Sequence, residues 1–131
     1  MSRFCVDTSA YSRFQRGEAP AVEALDAAEW VGMPAVTLGE LRTGFILGTR
    51  RDRNEAELHE FLSNPVVEVL TVDEAVSRHY ARIVADLRRR GTPLPTNDIW
   101  IAATAARAGA LVVTYDQHFR MIMGAGVLVL E

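Results

Sequence analysis

The sequence predicts an α/β fold, a parallel sheet covered by helices on both faces. Three observations predict it. Short apolar runs bounded by Gly, Pro, Asn or Asp alternate along the chain with segments of helical period. The first run, Arg3 to Asp7, reads as fully buried, as a strand between two helix layers must be. One helical segment, Ile99 to Ala108, is apolar on almost every side, broken only by Thr104 and Arg107. Such a helix belongs in a core.

The elements follow in order. Arg3 to Asp7 reads as a buried first strand, and Thr8 to Arg16 as a helix stopped by Gly17. Pro20 suits the first turn of a second helix, carried on by Val22, Leu25, Ala28 and Glu29 and ended by Gly32. Met33 to Val36 reads as strand two. Thr37 opens the next helix, with Leu38, Leu41 and Phe45 on one face, and Thr37-x-x-Glu40 matches a capping box. Thr49 to Arg53 is a charged connector. Asn54 can cap a helix that places Leu58, Phe61 and Leu62 at core spacing and stops at Asn64-Pro65. Val66 to Leu70 reads as strand three. Asp73 caps a long helix in which Val76, Tyr80, Ile83, Val84 and Leu87 keep the 3.6-residue period. Arg88-Arg89-Arg90 fills its last turn as a solvated end, and Gly91 closes it. Pro95 pushes Leu94 into an extended conformation, and Thr96 or Asn97 can cap the apolar helix, which ends at Gly109. Ala110 to Thr114 is strand four, Asp116 to Met123 a short helix or turn, and Val127 to Leu130 strand five.

With 131 residues and no linker or repeat, the expectation is one domain over residues 1–131. No apolar run is long enough to span a bilayer. The N-terminus reaches Asp7 before a signal-peptide core could form. The single cysteine, Cys5, excludes an intrachain disulfide and suits a reducing cytoplasm; its apolar surroundings make it a strand residue, not a nucleophile. A net charge of −3 does not announce a nucleic-acid binder. All 14 basic residues are nevertheless arginine, which suits bidentate phosphate contacts as well as a GC-rich coding bias.

Four acids stand out by position. Asp7 ends strand one, Glu40 follows strand two, Asp98 opens the apolar helix and Asp116 follows strand four. Each has an innocent reading as a helix cap. Together they would meet at one sheet edge, where ligands gather in such folds. Two carboxylates ~5 Å apart repel by ~3 kcal/mol at an effective dielectric of 20. No basic residue adjoins Asp7 or Asp98 in sequence, so a divalent cation is the natural counter-charge. Oxygen-only ligands favour Mg2+ or Mn2+ over zinc. His59, His79 and His118 lack zinc-ligand spacing and read as surface or packing residues. Acids around such an ion suggest phosphoryl or phosphodiester chemistry. No P-loop, GxSxG or GxGxxG motif competes.

Val6-Asp7-Thr8-Ser9, Thr37-x-x-Glu40-Leu41-x-x-Gly44, Leu94-Pro95-Thr96-Asn97-Asp98-x-x-Ile101-Ala102-Ala103 and Val113-Thr114-x-Asp116-x-His118-Phe119 carry a resemblance. In that order the chain resembles the PIN-domain ribonucleases, and within them the VapC toxins of type II toxin–antitoxin pairs. The resemblance implies a three-layer α/β/α fold with a five-stranded parallel sheet in the order 3-2-1-4-5. It implies an endoribonuclease dependent on Mg2+ or Mn2+, with Asp7, Glu40, Asp98 and Asp116 as catalytic acids. Asp7, Asp98 and Asp116 would hold the metal, and Glu40 would position or deprotonate the attacking water or hold a second ion. Thr8, Ser9, Asn97 and Thr114 would orient the carboxylates. Tyr115 and Trp100 would be packing residues.

The resemblance also implies a homodimer, a VapB-like antitoxin and an RNA substrate such as a tRNA or rRNA loop. Leu41, Phe45, Ile46, Leu47, Leu58 and Phe61 are candidates for antitoxin docking where they are not core. Arg13, Arg16, Arg42, Arg50, Arg51 and Arg53 are candidates for RNA contact. Two other readings carry less: a non-catalytic PIN-like module that binds RNA or a partner, and a phosphate receiver built on Asp7, which would want a lysine the chain lacks.

Overall fold

A computed structural model describes residues 2–131. Strands β1 (Arg3–Val6), β2 (Trp30–Pro34), β3 (Val67–Leu70), β4 (Leu111–Thr114) and β5 (Val127–Val129) pair in parallel in the order β3-β2-β1-β4-β5. The helices are α1 (Thr8–Gln15), α2 (Ala19–Asp26), α3 (Ala35–Leu47), α4 (Arg51–Leu62), α5 (Glu74–Arg90) and α6 (Thr96–Ala108), with a 3-10 turn over Gln117–Met121.

Strand periodicity splits the interior into two cores. Neighbouring residues of a strand point to opposite faces. Cys5 therefore packs with Val76, Ile83, Leu87 and Ile101 of α5 and α6. Val6 packs with Tyr11, Leu25, Leu38 and Leu58 of α1 to α4. The sheet is the middle of three layers, as the alternating pattern requires. Burial pushes the Cys5 thiol up to about 12, so it is an inert core residue.

Several element boundaries differ from the sequence expectation. The second helix ends at Asp26, and Gly32 lies inside β2 instead of stopping a helix. The reason is close approach: a Cβ at Gly32 would stand 2.7 Å from Leu70 Cδ1, 2.7 Å from the Trp30 ring and 2.9 Å from Cys5 Sγ. Strand two stops at Pro34, so Val36 belongs to α3. The Thr37 capping box does not form, because Thr37 sits within α3 and its buried hydroxyl donates to Val6 O at 3.0 Å. α4 begins at Arg51, so the charged connector is largely its first turn and Asn54 is not its cap. Pro95 occupies the cap position of α6, and neither Thr96 nor Asn97 caps it.

Other expectations hold. Asp73 accepts from Val76 N at 2.9 Å, and Gly91 and Gly109 close α5 and α6 at φ 70° and 66°. Among the proposed docking residues, Leu41 and Leu58 are core, while Ile46 and Leu47 are 57% and 82% exposed. Among the described residues, no helix is long and apolar enough to cross a membrane.

Gly32→Ala should lower stability by about 1–3 kcal/mol, because three packed side chains must move at once. The drop is read from the midpoint of denaturant unfolding, with an unchanged slope.

Candidate active site

Asp7 sits at the turn from β1 into α1, with 5% of its surface exposed. It caps α1 by accepting from Ala10 N at 2.9 Å. The cap is only part of its surroundings. Ser9 donates to Asp7 Oδ1 at 2.7 Å, and Thr114, at the end of β4, donates to Oδ2. The Thr114 hydroxyl also accepts from Asp116 N at 2.9 Å, and Ser9 Oγ accepts from Tyr115 N at 3.0 Å. These bonds lock the segment after β4 against the segment after β1, because β4 and β1 are neighbours in the sheet.

A second set ties in the other two acids. Glu40, in the second turn of α3, accepts from Thr8 at 2.8 Å through Oε1 and from Asn97 Nδ2 at 3.3 Å through Oε2. Thr8 adjoins Asp7, and Asn97 adjoins Asp98. One carboxylate thus joins the α1 and α6 N-termini, and Asn97 is free to do so because Pro95 takes the cap position. All eight residues expected at the site, Asp7, Thr8, Ser9, Glu40, Asn97, Asp98, Thr114 and Asp116, stand at the carboxyl edge of the sheet.

The electrostatics fit that placement. Asp98 is pushed up to about 6, first by loss of water and then by the charges of Asp116, Glu40 and Asp7. Asp7 is also raised, by burial first; the bonds from Thr114, Ala10 and Ser9 oppose the shift, and Asp116 adds to it. None of the ion pairs among the described residues includes Asp7, Glu40 or Asp98. The charge is therefore concentrated and left without a guanidinium.

His118 is a surface residue, as the sequence suggests, and the sequence does not show its contact: Nδ1 lies 2.9 Å from Asp116 Oδ1. Asp116 also caps the 3-10 turn through His118 N at 2.9 Å. The spacing Asp116-x-His118 holds the backbone part of this signal, since an Asp side chain accepts from the N–H two residues on in such a turn. Tyr115 is partly buried and carries the Arg13 guanidinium 4.3 Å above its ring.

The donor set suits a hard divalent cation: among the described residues it offers carboxylate oxygens and no thiolate, and no guanidinium pairs with Asp7, Glu40 or Asp98. The arrangement is not a closed ligand shell, however. Among the described residues, no three His, Cys, Asp or Glu side chains gather tightly enough to enclose one ion. Both Asp7 oxygens accept hydrogen bonds, and Asp116 Oδ1 is engaged by His118.

The Asp98 shift fixes a pH effect in metal-free buffer. Its folded value of about 6 lies above the unfolded value near 3.9, so the folded state holds the proton more tightly. The proton stabilises below about pH 4, and this contribution is lost as pH rises through about 6. Partial exposure cuts the effect to ~1–2 kcal/mol. Asp98→Asn should thus melt higher than the parent at pH 7 and show a flatter stability profile between pH 4 and 6, measured by thermal unfolding.

Comparison with known proteins points the same way. The PIN domain model matches residues 4–123. Ribonuclease VapC5 of Mycobacterium tuberculosis is 33% identical over 123 residues, covering 92% of this chain and 87% of that protein. Ribonuclease VapC4 of the same organism is 38% identical over 91 residues, covering 70% of this chain and 69% of its own. The crystal structure of VapBC-5, a member of the VapBC family of toxin–antitoxin systems from Mycobacterium tuberculosis, superposes with a TM-score of 0.77 at 32% identity, covering 100% of this chain and 99% of that one. With the same strand order and a family match over nearly its whole length, this chain belongs to the PIN-domain family, alongside the VapC ribonucleases.

Proposed function

We propose that this protein is an endoribonuclease that hydrolyses RNA phosphodiester bonds with the help of Mg2+ or Mn2+, and that it is the toxin of a type II toxin–antitoxin pair. The observation that carries the reading is Glu40, held by Thr8 and Asn97 between the segments that bear Asp7 and Asp98. A lone capping acid has no need of that double tether.

Asp7, Asp98 and Asp116 would hold the ion by drawing in around it, since among the described residues no three acids enclose one as they stand. When bound, it supplies a counter-charge for the acids and for the negative charge that grows on the phosphate, and it lowers the pKa of water. The chain's own groups do the rest. Glu40 keeps lone pairs on both oxygens beyond those used by Thr8 and Asn97, so it can accept a proton from the attacking water. As the water oxygen bonds to phosphorus, the ester P–O bond breaks; the leaving oxygen takes a proton from solvent, and Glu40 releases its own to solvent, so the proton count balances. Ser9 and Thr114 fix the Asp7 carboxylate, which saves reorganisation in the transition state. His118, beside Asp116, is placed to orient that carboxylate.

The relatives named ribonucleases and the VapBC complex support the pairing with a VapB-like antitoxin. On this reading the antitoxin covers the acidic site, and Ile46 and Leu47 are the most exposed apolar residues of the docking set, with Phe45 and Phe61 partly buried. Two copies of the chain would form the toxin, and a structured RNA in the cytoplasm, such as a tRNA or rRNA loop, would be its target.

Asp7→Asn and Asp98→Asn should each reduce RNA cleavage by at least about a hundredfold and relieve growth arrest, with circular dichroism unchanged. Full cleavage by both variants, or by the parent in EDTA, would refute the reading. Calorimetry should show Mn2+ binding to the parent, and weakened or lost binding in both variants.

A further inference from the structure

We infer that the cleft between α1 and the α3–α4 pair is a phosphate-binding subsite that holds a single-stranded polynucleotide beyond the cleavage point. The cleft has a volume of about 580 Å³. Its cations are Arg16, Arg50 and Arg53, and Tyr11, Gln15 and Asn54 add polar side chains. Three guanidiniums face a single carboxylate there, Glu57, in a chain of net charge −3. The cationic character is local and runs against the protein's overall balance.

Its position links it to the acids. Thr8 and Ser12 lie on one face of α1, and Arg16, which caps its C-terminus, continues the same four-residue spacing. Thr8 holds Glu40 at one end of that face, and Ser12 and Arg16 line the cleft at the other. Eight residues of helix span about 12 Å. An RNA strand engaged at the acidic edge gains affinity from cations along its path that contact its further phosphates directly.

The arginines are free to take phosphate. Arg50 forms no ion pair among the described residues. Arg16 meets Glu18 at 3.7 Å and Arg53 meets Glu57 at 3.4 Å, both long and well exposed, and such pairs contribute little. Arg13 and Arg42 drop out of the set: Arg13 lies over Tyr115 and Arg42 is bound to Glu55, and neither lines the cleft. A protein helix would want a mainly apolar groove. Phe45 is the one purely apolar side chain here, and its ring offers a surface for a base. The choice of RNA as the polymer rests on the ribonuclease reading; the phosphate chemistry does not.

The test uses protein silenced by Asp98→Asn, without divalent ions, titrated with labelled oligouridylate of about ten nucleotides. The triple variant Arg16→Ala/Arg50→Ala/Arg53→Ala should bind at least about tenfold more weakly. The slope of log affinity against log salt should shrink by about 2, at ~0.7 per lost phosphate contact on a single strand. Glu57→Gln should bind more tightly than the parent. If the triple variant does not fold, Arg50→Ala alone should reduce the slope by about 0.7. Unchanged affinity and slope in a folded variant would overturn the subsite and leave the nuclease reading standing. Loss of binding in a protein whose unsilenced parent cuts no RNA would keep the subsite and remove the nuclease reading. A glutamate-rich peptide that needs the three arginines, with oligouridylate binding unaffected by them, would assign the cleft to a protein partner and overturn the proposal.

Discussion

Like-charge repulsion at the carboxyl edge of the sheet is the constraint on which the rest of the structure depends. Asp7 is almost fully buried, and Asp98 feels Asp116, Glu40 and Asp7 at once. Repulsion of this kind costs kilocalories per close pair unless something offsets it. The fold offsets part of it with hydroxyl and amide donors from Thr8, Ser9, Asn97, Thr114 and the Ala10 backbone. It does not add a guanidinium, although the chain has many. Acids kept close without an internal cation make a site suited to an external one.

The same donors settle an apparent conflict between structural and chemical roles. Asp7 and Asp116 both cap the segments that follow them, so the innocent reading of each is true. A cap uses one oxygen of a carboxylate and fixes its direction. At Asp7 the other oxygen is fixed by Thr114 from the neighbouring strand, which the cap alone would not require. Capping is therefore the means by which the backbone aims the acid. Glu40 differs, since Thr8 and Asn97 tether it through side chains only and it serves no helix end.

The arginines obey a complementary rule. Where they are paired, their partners are carboxylates away from the acidic edge, as with Arg42 and Glu55 or Arg90 and Asp86. The result is a molecule of modest net charge with separated fields: an acidic edge, a cationic cleft one helix length away, and scattered ion pairs elsewhere. A polyanion approaching such a surface is steered by the cleft, not by the net charge.

The strand–helix alternation and the placement of four acids at strand ends and a helix start were determined by the sequence itself, because they rest on local period and residue type. Local signals misplaced what depends on neighbours distant in the chain. Gly32 reads as a helix stop, and only the approach of Leu70, Trp30 and Cys5 shows that it must be a strand residue. Thr37 reads as a cap until the Val6 carbonyl, 31 positions away in sequence, claims its hydroxyl. Asn97 reads as a cap until Glu40 claims its amide, and only the turn shows that the surface His118 meets Asp116. Which of several possible partners a polar group takes is decided by tertiary contact, since hydrogen bonds and Coulomb forces act over a few ångströms of space and are indifferent to separation along the chain.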